Sequence, residues 1–598
     1  MNKKNRQKCI QILEIAPEVE KILISSDSVK LKKERLAKYL SDLGDDAFGD
    51  DLSISPLEGV LIRRVISVFR NLISTRSEQT LGYNFLSYIN DLLHGDDLKA
   101  VEEPSPAFFA ELEHLLRGIA RKTDVYEGRL PLYTEYEGRK AARLRSEELS
   151  GMAERMQQFL DLYPSGLSEE TEEKRNINKL RILEYFGADE TDWEDWNWHL
   201  RHVVRKAKIL DKLIKLTDEE YQAVELANEH EIPFGITPYY LSLIDFESHR
   251  EKDYALRAQV IPTLHYVNRI KDFGVDANTS MDFMLERDTS PIEGITRRYP
   301  KIVIIKPILT CPQICVYCQR NWQIKDVYSA DAAISSDKLD RAVEWIEKTP
   351  EINEVLITGG DPLLLSDEKI EKLLERLSAI DHVVRIRIGT RMLVTLPQRI
   401  TESLLRIISR FNVPGKREVI IITHFEHSYE ISSQTLNAVQ KFRQKGMEIY
   451  NQLVYTFYNS RRFEAVALRL ALRSIGVTPY YTFNTKGKDE TYEYRVPIPR
   501  LLQEQQEEAR LLPGTVRTDE IVFNVPKLGK NYLRAGQHHD LISILPDGRR
   551  VYEFHPWEKK ISQAETYIYT DVSIYDYLER MEKSGEEISD YKTIWYYY

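Results

Sequence analysis

Ile302-Val303-Ile304-Ile305-Lys306-Pro307-Ile308-Leu309-Thr310-Cys311-Pro312-Gln313-Ile314-Cys315-Val316-Tyr317-Cys318 joins a β-branched run to three of the four cysteines of the chain. Ile302 to Ile305 reads as a strand. Behind it Cys311, Cys315 and Cys318 fall within a single short loop. Thiolates are soft ligands suited to iron–sulfur clusters and zinc, and a tight loop lets three of them converge on one centre. A structural zinc site usually takes four protein ligands, often as two pairs, and the remaining cysteine, Cys9, lies far upstream. The spacing therefore fits a cubane cluster with one iron left open. Cysteines kept only as small hydrophobes need no fixed spacing.

Downstream of this stretch, short apolar runs alternate with amphipathic helical ones. Residues 355–358, 384–388, 419–423, 449–454 and 478–483 read as strands, with helices such as 336–349 between them. Such alternation demands a mostly parallel sheet. The expected fold class is α/β: a partial (β/α)6 barrel, TIM-like, whose working face lies at the C-terminal ends of its strands. The cysteine loop, Gly359-Gly360-Asp361, the segment His424-Phe425-Glu426-His427 and a lysine-containing segment near residue 530 all follow such ends. That shared address is independent of any family name.

At 598 residues the chain is too long for one ordinary core. We expect an N-terminal helical extension over 1–185, a helical domain over 186–294, the barrel over 295–545 and a C-terminal tail over 546–598. The 57–74 stretch places Leu61, Val65, Ile66, Phe69, Leu72 and Ile73 on one helical face. Residues 135–154 read as a solvated helix and 42–51 as an acidic linker. The tyrosine-rich end reads as a packed terminal helix. Hydrophobic content of 42%, charged content of 30% and a net charge of −11 describe a globular protein, not one built for nucleic acid or an anionic membrane surface. No stretch reads as a signal peptide or a membrane span, and few cysteines with a cluster imply a reducing compartment, hence the cytoplasm.

The cysteine spacing, with aromatic Tyr317 just before the last thiol, resembles the cluster loop of the radical S-adenosylmethionine enzymes. The resemblance implies a [4Fe–4S] cluster on Cys311, Cys315 and Cys318, with S-adenosylmethionine on the open iron and reductive cleavage to a 5′-deoxyadenosyl radical. Gly359, Gly360 and Asp361 then match the motif that contacts the amino group of S-adenosylmethionine. Two glycines let backbone approach a ligand, and the carboxylate accepts from an ammonium.

Ile236-Thr237-Pro238-Tyr239-Tyr240-Leu241-Ser242-Leu243-Ile244-Asp245, together with Thr296-Arg297-Arg298-Tyr299-Pro300, resembles the lysine 2,3-aminomutase family. This likeness implies pyridoxal 5′-phosphate held by a lysine in Asn524-Val525-Pro526-Lys527-Leu528-Gly529-Lys530. We favour Lys530, with Lys527 as the alternative; the stretch has fewer glycines than the family's and is one residue shorter. Arg298 matches a phosphate-contacting arginine. A second such arginine is replaced by Ile302, which leaves Lys306 as the compensating cation. Arg320 matches the residue that pairs with the substrate α-carboxylate, and His424 a residue lining the cofactor pocket.

Two family aspartates hold the ε-ammonium of lysine. One aligns with Asn524 and the other falls near Ser460 or Arg461, so an amide and a cationic Arg461-Arg462 pair suit a carboxylate side chain instead. The same exchange marks the glutamate 2,3-aminomutases, the branch this chain resembles most. The resulting expectation is a radical S-adenosylmethionine, pyridoxal-phosphate-dependent isomerase, an amino acid 2,3-aminomutase preferring L-glutamate or another acidic substrate. Alternatives are lysine or another amino acid as substrate, a radical enzyme without pyridoxal phosphate, and a cluster-bearing regulatory protein. The partners expected are a small-molecule amino acid and an electron donor such as flavodoxin or ferredoxin, with a homo-oligomer as the family's habit.

Overall fold

The computed structural model describes residues 3–48, 56–94, 103–123, 125, 131–247, 252–274, 277–485, 487–536, 539–556 and 564–598. The chain folds as two compact units: one of residues 1–157, 496–507 and 531–598, the other of residues 158–495 and 508–530. The helical stretch expected to run to residue 185 thus divides between them after Gln157.

The second unit carries the barrel. Its strands are β1 (Ile295–Thr296), β2 (Ile302–Ile308), β3 (Glu354–Gly359), β4 (Arg385–Gly389), β5 (Glu418–Thr423), β6 (Glu448–Tyr455), β7 (Thr478–Asn484) and β8 (Glu520–Val525), followed by β9 (Gly529–Tyr532). They lie side by side in chain order. β1 is antiparallel to β2, and β2 to β8 are all parallel. Six strand–helix units and a seventh parallel strand therefore make the sheet. Pairing ends at β1 and β9, so the barrel is open.

Every strand read from the sequence is present, with its ends within a residue or two except at β2, which runs three residues further, to Ile308. β8 was not read as a strand; only its last two residues, Asn524 and Val525, fall in the lysine segment.

Register explains why this sheet has one oily and one polar face. Val303, Val355, Ile386 and Val419 stand in one row across four strands and are fully buried. The row before it holds Glu354, Arg385 and Glu418, and Arg385 bridges its two neighbours, Nη1 to Glu354 at 3.0 Å and Nε to Glu418 at 2.7 Å. Opposite charges directly across strands stabilise such a register. Because side chains alternate, one face takes the aliphatic row while the other keeps polar groups and a cavity.

Ahead of the barrel, Thr217 and Glu220 form a capping box at the start of the helix Asp218–Glu229. Thr237 caps the short helix Pro238–Leu243, whose residues are all buried.

The other unit holds the helices up to residue 157 and a three-stranded antiparallel sheet, β10 (His539–Ile544), β11 (Arg550–Phe554) and β12 (Tyr567–Thr570). The helix Pro56–Leu72 and the helix Gly138–Leu160, which buries no residue, match the sequence reading. The acidic linker does not: helix Val29–Phe48 runs through most of it, its aspartates facing solvent, and residues 49–51 lie outside the described residues. Residues 546–598, read as a tail, supply two strands, the helix Ile574–Lys583 and a 3-10 segment Ile588–Tyr596 that buries Tyr591, Ile594, Trp595 and Tyr596. Among the described residues no helix is long and apolar enough to cross a membrane.

Candidate active site

The cysteine loop leaves β2 and enters a cavity lined by residues that follow strand after strand: Cys311, Cys315 and Cys318 beyond β2, Asp361 beyond β3, Arg391 beyond β4, His424 beyond β5, and Asn524 within β8. Burial pushes the Cys311 thiol well up, with Asp361 adding to the effect. Burial also raises Cys315, against the pull of Arg391. A bound metal removes such protons outright. Three thiolates of one loop suit a cubane cluster, in which each binds a different iron.

Gly360 serves the loop itself. A Cβ there would lie 2.0 Å from the carbonyl oxygen of Thr310, and its N–H donates to Ile308 O at 2.7 Å. Gly359 has φ +120°, reachable at little cost only by glycine. The glycines thus let β3 press against the cysteine loop; the sequence reading gave them to a ligand. Asp361 is buried and its carboxylate accepts from Thr390 Oγ1 at 2.8 Å, Arg391 N at 2.8 Å and Leu363 N at 3.1 Å. Burial, its largest influence, raises this carboxyl to about 6. It ties the β3 and β4 ends together beside the cavity.

Arg391 was not singled out from sequence, yet it organises this end of the site. Its Nη1 donates to Cys315 Sγ at 2.8 Å, its Nη2 to Glu430 Oε1 at 2.7 Å and to Gln259, and its Nε to His424 O at 3.1 Å. Tyr240 donates to the same Glu430 oxygen at 2.8 Å. Tyr317 donates to Gln259 Oε1 at 3.0 Å and Glu426 Oε1 at 3.1 Å. The 236–245 and 423–427 segments therefore meet behind the cysteine loop and hold it. The available signal was position: Gly389-Thr390-Arg391 closes a strand as the other site segments do.

A second polar group surrounds Glu286. Its Oε1 accepts from Lys306 Nζ at 2.8 Å and Arg320 Nε at 3.1 Å, and its Oε2 from Arg298 Nη2 at 3.1 Å. Burial alone would raise this carboxyl, but Arg320, Lys306 and Arg298 together hold it well below its ordinary range. Lys306 is thus committed to Glu286. Arg320 donates through its backbone N to Cys318 Sγ at 3.3 Å and lines the cavity.

The two candidate lysines differ sharply. Lys530 Nζ lies 5.1 Å from the Tyr299 ring centroid and 4.9 Å from that of Tyr481. Its amine has no hydrogen-bond or ion-pair partner among the described residues. Burial first, then the positive charges of Arg387 and Arg298, lower it from the usual lysine range to about 8. Lys527 is exposed and paired with Asp288 at 2.7 Å. Glu354, itself paired with Arg387, pulls the other way without contacting the amine; burial with no direct ion pair is what a Schiff-base amine needs.

Of the remaining predicted residues, His424 faces the cavity with its Nδ1 3.7 Å from Glu426. His427 is buried, 3.1 Å from Glu464, and its Nδ1 accepts from Tyr429 N. Asn524 lines the cavity, but Arg461 does not: it lies with Tyr163, Lys252, Tyr254 and Glu464 around a separate small pocket. Ser460 is buried and donates to Phe457 O. Arg462 pairs with the buried Glu508 at 3.4 Å. A single-residue shift at the end of the 457–459 turn decides which way each of these side chains points.

Residues 305–469 match the Radical SAM superfamily. An uncharacterized KamA family protein from Methanocaldococcus jannaschii is 42% identical over 98% of this chain and 97% of its own length. The glutamate 2,3-aminomutase of Clostridioides difficile is 31% identical over 66% of this chain and 88% of its own length. The L-lysine 2,3-aminomutase of Fusobacterium nucleatum is 33% identical over 54% of this chain and 73% of its own length.

Proposed function

Because the chain belongs to the KamA family of radical S-adenosylmethionine enzymes, whose named relatives are 2,3-aminomutases and hence isomerases, we propose that it is a pyridoxal-phosphate-dependent amino acid 2,3-aminomutase acting on an acidic amino acid such as L-glutamate. One observation carries the reading. The amine of Lys530 stands over the ring of Tyr299, whose chain neighbour Arg298 donates to Glu286; Glu286 also accepts from Arg320, whose backbone N–H donates to Cys318 Sγ. This series of neighbours, with Arg320 lining the cavity of the three thiols, supports reading the amine that would take the cofactor and the thiols that would take the cluster as parts of one site.

Cys311, Cys315 and Cys318 would hold the cluster, which with S-adenosylmethionine supplies a carbon radical able to remove a substrate hydrogen. Pyridoxal phosphate on Lys530 supplies a π-system across which nitrogen can migrate. The residues suit these groups. Arg298 offers a buried Nε with no partner among the described residues, Arg387 another, and a phosphate has oxygens for both. Arg320 spends only its Nε on Glu286, which leaves its Nη groups for a planar α-carboxylate. The buried contacts of Arg391 and Tyr317 hold the cysteine loop still and keep water from its back.

Substrate choice rests on the lining. The carboxylate there is Asp361, already engaged by Thr390 and backbone amides, and Arg391 is spent on Cys315, Glu430 and His424 O, whereas the Nη groups of Arg320 and the amides of Gln452 and Asn524 remain. Nothing among these offers a second carboxylate to a side-chain ammonium, and the positive balance suits an acid. Since Arg461 faces another pocket, it is not part of this reading. Delivering one electron to the cluster calls for a small external carrier.

The test is absorption of anaerobically reconstituted protein with pyridoxal phosphate, before and after borohydride. We expect a reducible imine that Lys530→Ala abolishes and Lys527→Ala leaves intact. Its formation should rise through about pH 8, because the neutral amine is the form that attacks and the amine is lowered to about 8. Incubation with S-adenosylmethionine, reductant and either L-glutamate or L-lysine then reads the β-amino acid. An absent imine defeats the cofactor assignment; turnover of lysine alone defeats the substrate assignment.

A further inference from the structure

Glu286 is 1% exposed and opens a short 3-10 turn, Glu286–Thr289, ahead of β1. Its backbone is fixed from behind, because Asp282 accepts from Glu286 N at 2.9 Å and from Arg287 N at 3.2 Å. Thr296 Oγ1 donates to Oε1 at 2.9 Å and completes the shell. The carboxylate thus draws together three cations from separate places: Arg298 after β1, Lys306 within β2 and Arg320 after the cysteine loop. One negative charge among three positive ones leaves a surplus of two.

The geometry of that surplus is directional. Arg298 gives Glu286 its Nη2 and keeps a buried Nε without a partner among the described residues; its side chain is 9% exposed. Arg320 gives its Nε and keeps its Nη groups. Guanidinium donors recognise phosphate and carboxylate by orientation as well as charge.

Building on the cofactor and substrate reading above, we infer that Glu286 is a positioning residue: it aims Arg298 at the cofactor phosphate and Arg320 at the substrate α-carboxylate, and so couples the two anion sites through one carboxylate. Charge and orientation make opposite demands here. On charge alone, removing a carboxylate from a cationic cluster strengthens anion binding. On orientation, removal weakens it.

Imine formation on Lys530 with pyridoxal 5′-phosphate and with pyridoxal, which lacks the phosphate, separates these effects without turnover. The ratio of the two affinities measures the phosphate contacts. Glu286→Gln should lower that ratio by about tenfold, the worth of one charge-assisted hydrogen bond, with pyridoxal affinity little changed; its melting temperature falls, because three buried cations lose their counter-charge. Arg298→Lys, which keeps the charge and loses the directed Nε, should lower the ratio similarly and serves if the first variant does not fold. A raised ratio in Glu286→Gln would mean the carboxylate is only an electrostatic brake, and an equal fall for both aldehydes would mean it is only structural; either result overturns the inference. An unchanged ratio in Arg298→Lys does the same. A wild-type protein that forms an imine with neither aldehyde sinks the cofactor reading and the inference together.

Discussion

Each unit of this protein buries a glutamate against arginine, and the two arrangements differ in what they leave over. In the unit of residues 1–157, 496–507 and 531–598, Glu111 holds Arg550 Nε at 3.0 and 3.1 Å. The other guanidinium nitrogens donate to Tyr597 O at 2.8 Å and Trp595 O at 2.7 Å. Every guanidinium nitrogen is engaged, and the charges cancel. In the barrel unit, Glu286 faces three cations, so charge and at least one buried nitrogen remain. A satisfied buried pair holds chain segments together; an unsatisfied surplus beside a cavity waits for an anion.

Breaking the satisfied pair should give the largest effect on stability. Arg550→Ala leaves Glu111 buried without a counter-charge and frees two carbonyls of the C-terminal segment, at a cost of about 3–5 kcal/mol. Differential scanning calorimetry should show the transition of that unit falling by many degrees. An unchanged melting profile would mean the pair is not structural. By contrast, Arg320→Gln removes one of three cations from Glu286 and relieves repulsion among the rest. Its stability change should stay within about 1 kcal/mol, while affinity for the amino acid, read by isothermal titration, falls at least tenfold. A large loss of stability with binding intact would reverse the contrast drawn here.

The same contrast explains what could be read from the chain. The barrel strands were legible because β-branched runs of four to six residues, split by amphipathic helices, carry their signal locally. The cysteine loop was legible because three thiols in one loop have few other uses. Glu286 was not: it sits in Met284-Leu285-Glu286-Arg287-Asp288, which reads as a solvated mixed-charge turn, and its role arises from partners up to 34 residues away. Arg391 reaches Cys315 across 76 residues and Gln259 across 132. The other unit is assembled from three separate stretches of chain, so no window of sequence contains its core. The role of Arg550 in holding the C-terminal segment was not legible because its partner Glu111 lies 439 residues earlier. The near full-length match to the Methanocaldococcus jannaschii relative covers both units, whereas the matches to the two named aminomutases cover 66% and 54% of this chain.

The smallest expected effect concerns Lys527, and it sharpens the distinction between the two lysines. Lys527 has φ +60°, a left-handed conformation that costs a residue with a Cβ about 1 kcal/mol. Its ammonium makes a solvent-exposed pair with Asp288, of a kind contributing between about 0 and 1 kcal/mol. Lys527→Ala keeps the strained backbone and loses the pair, whereas Lys527→Gly loses the pair and relieves the strain. Denaturant titration should therefore find the glycine variant more stable than the alanine variant by about 1 kcal/mol, with the Lys530 imine intact in both. If the alanine variant were the more stable, the segment would have a different backbone from the one that brings Lys530 beside Tyr299 and Tyr481, and the choice of Lys530 over Lys527 would have to be reopened.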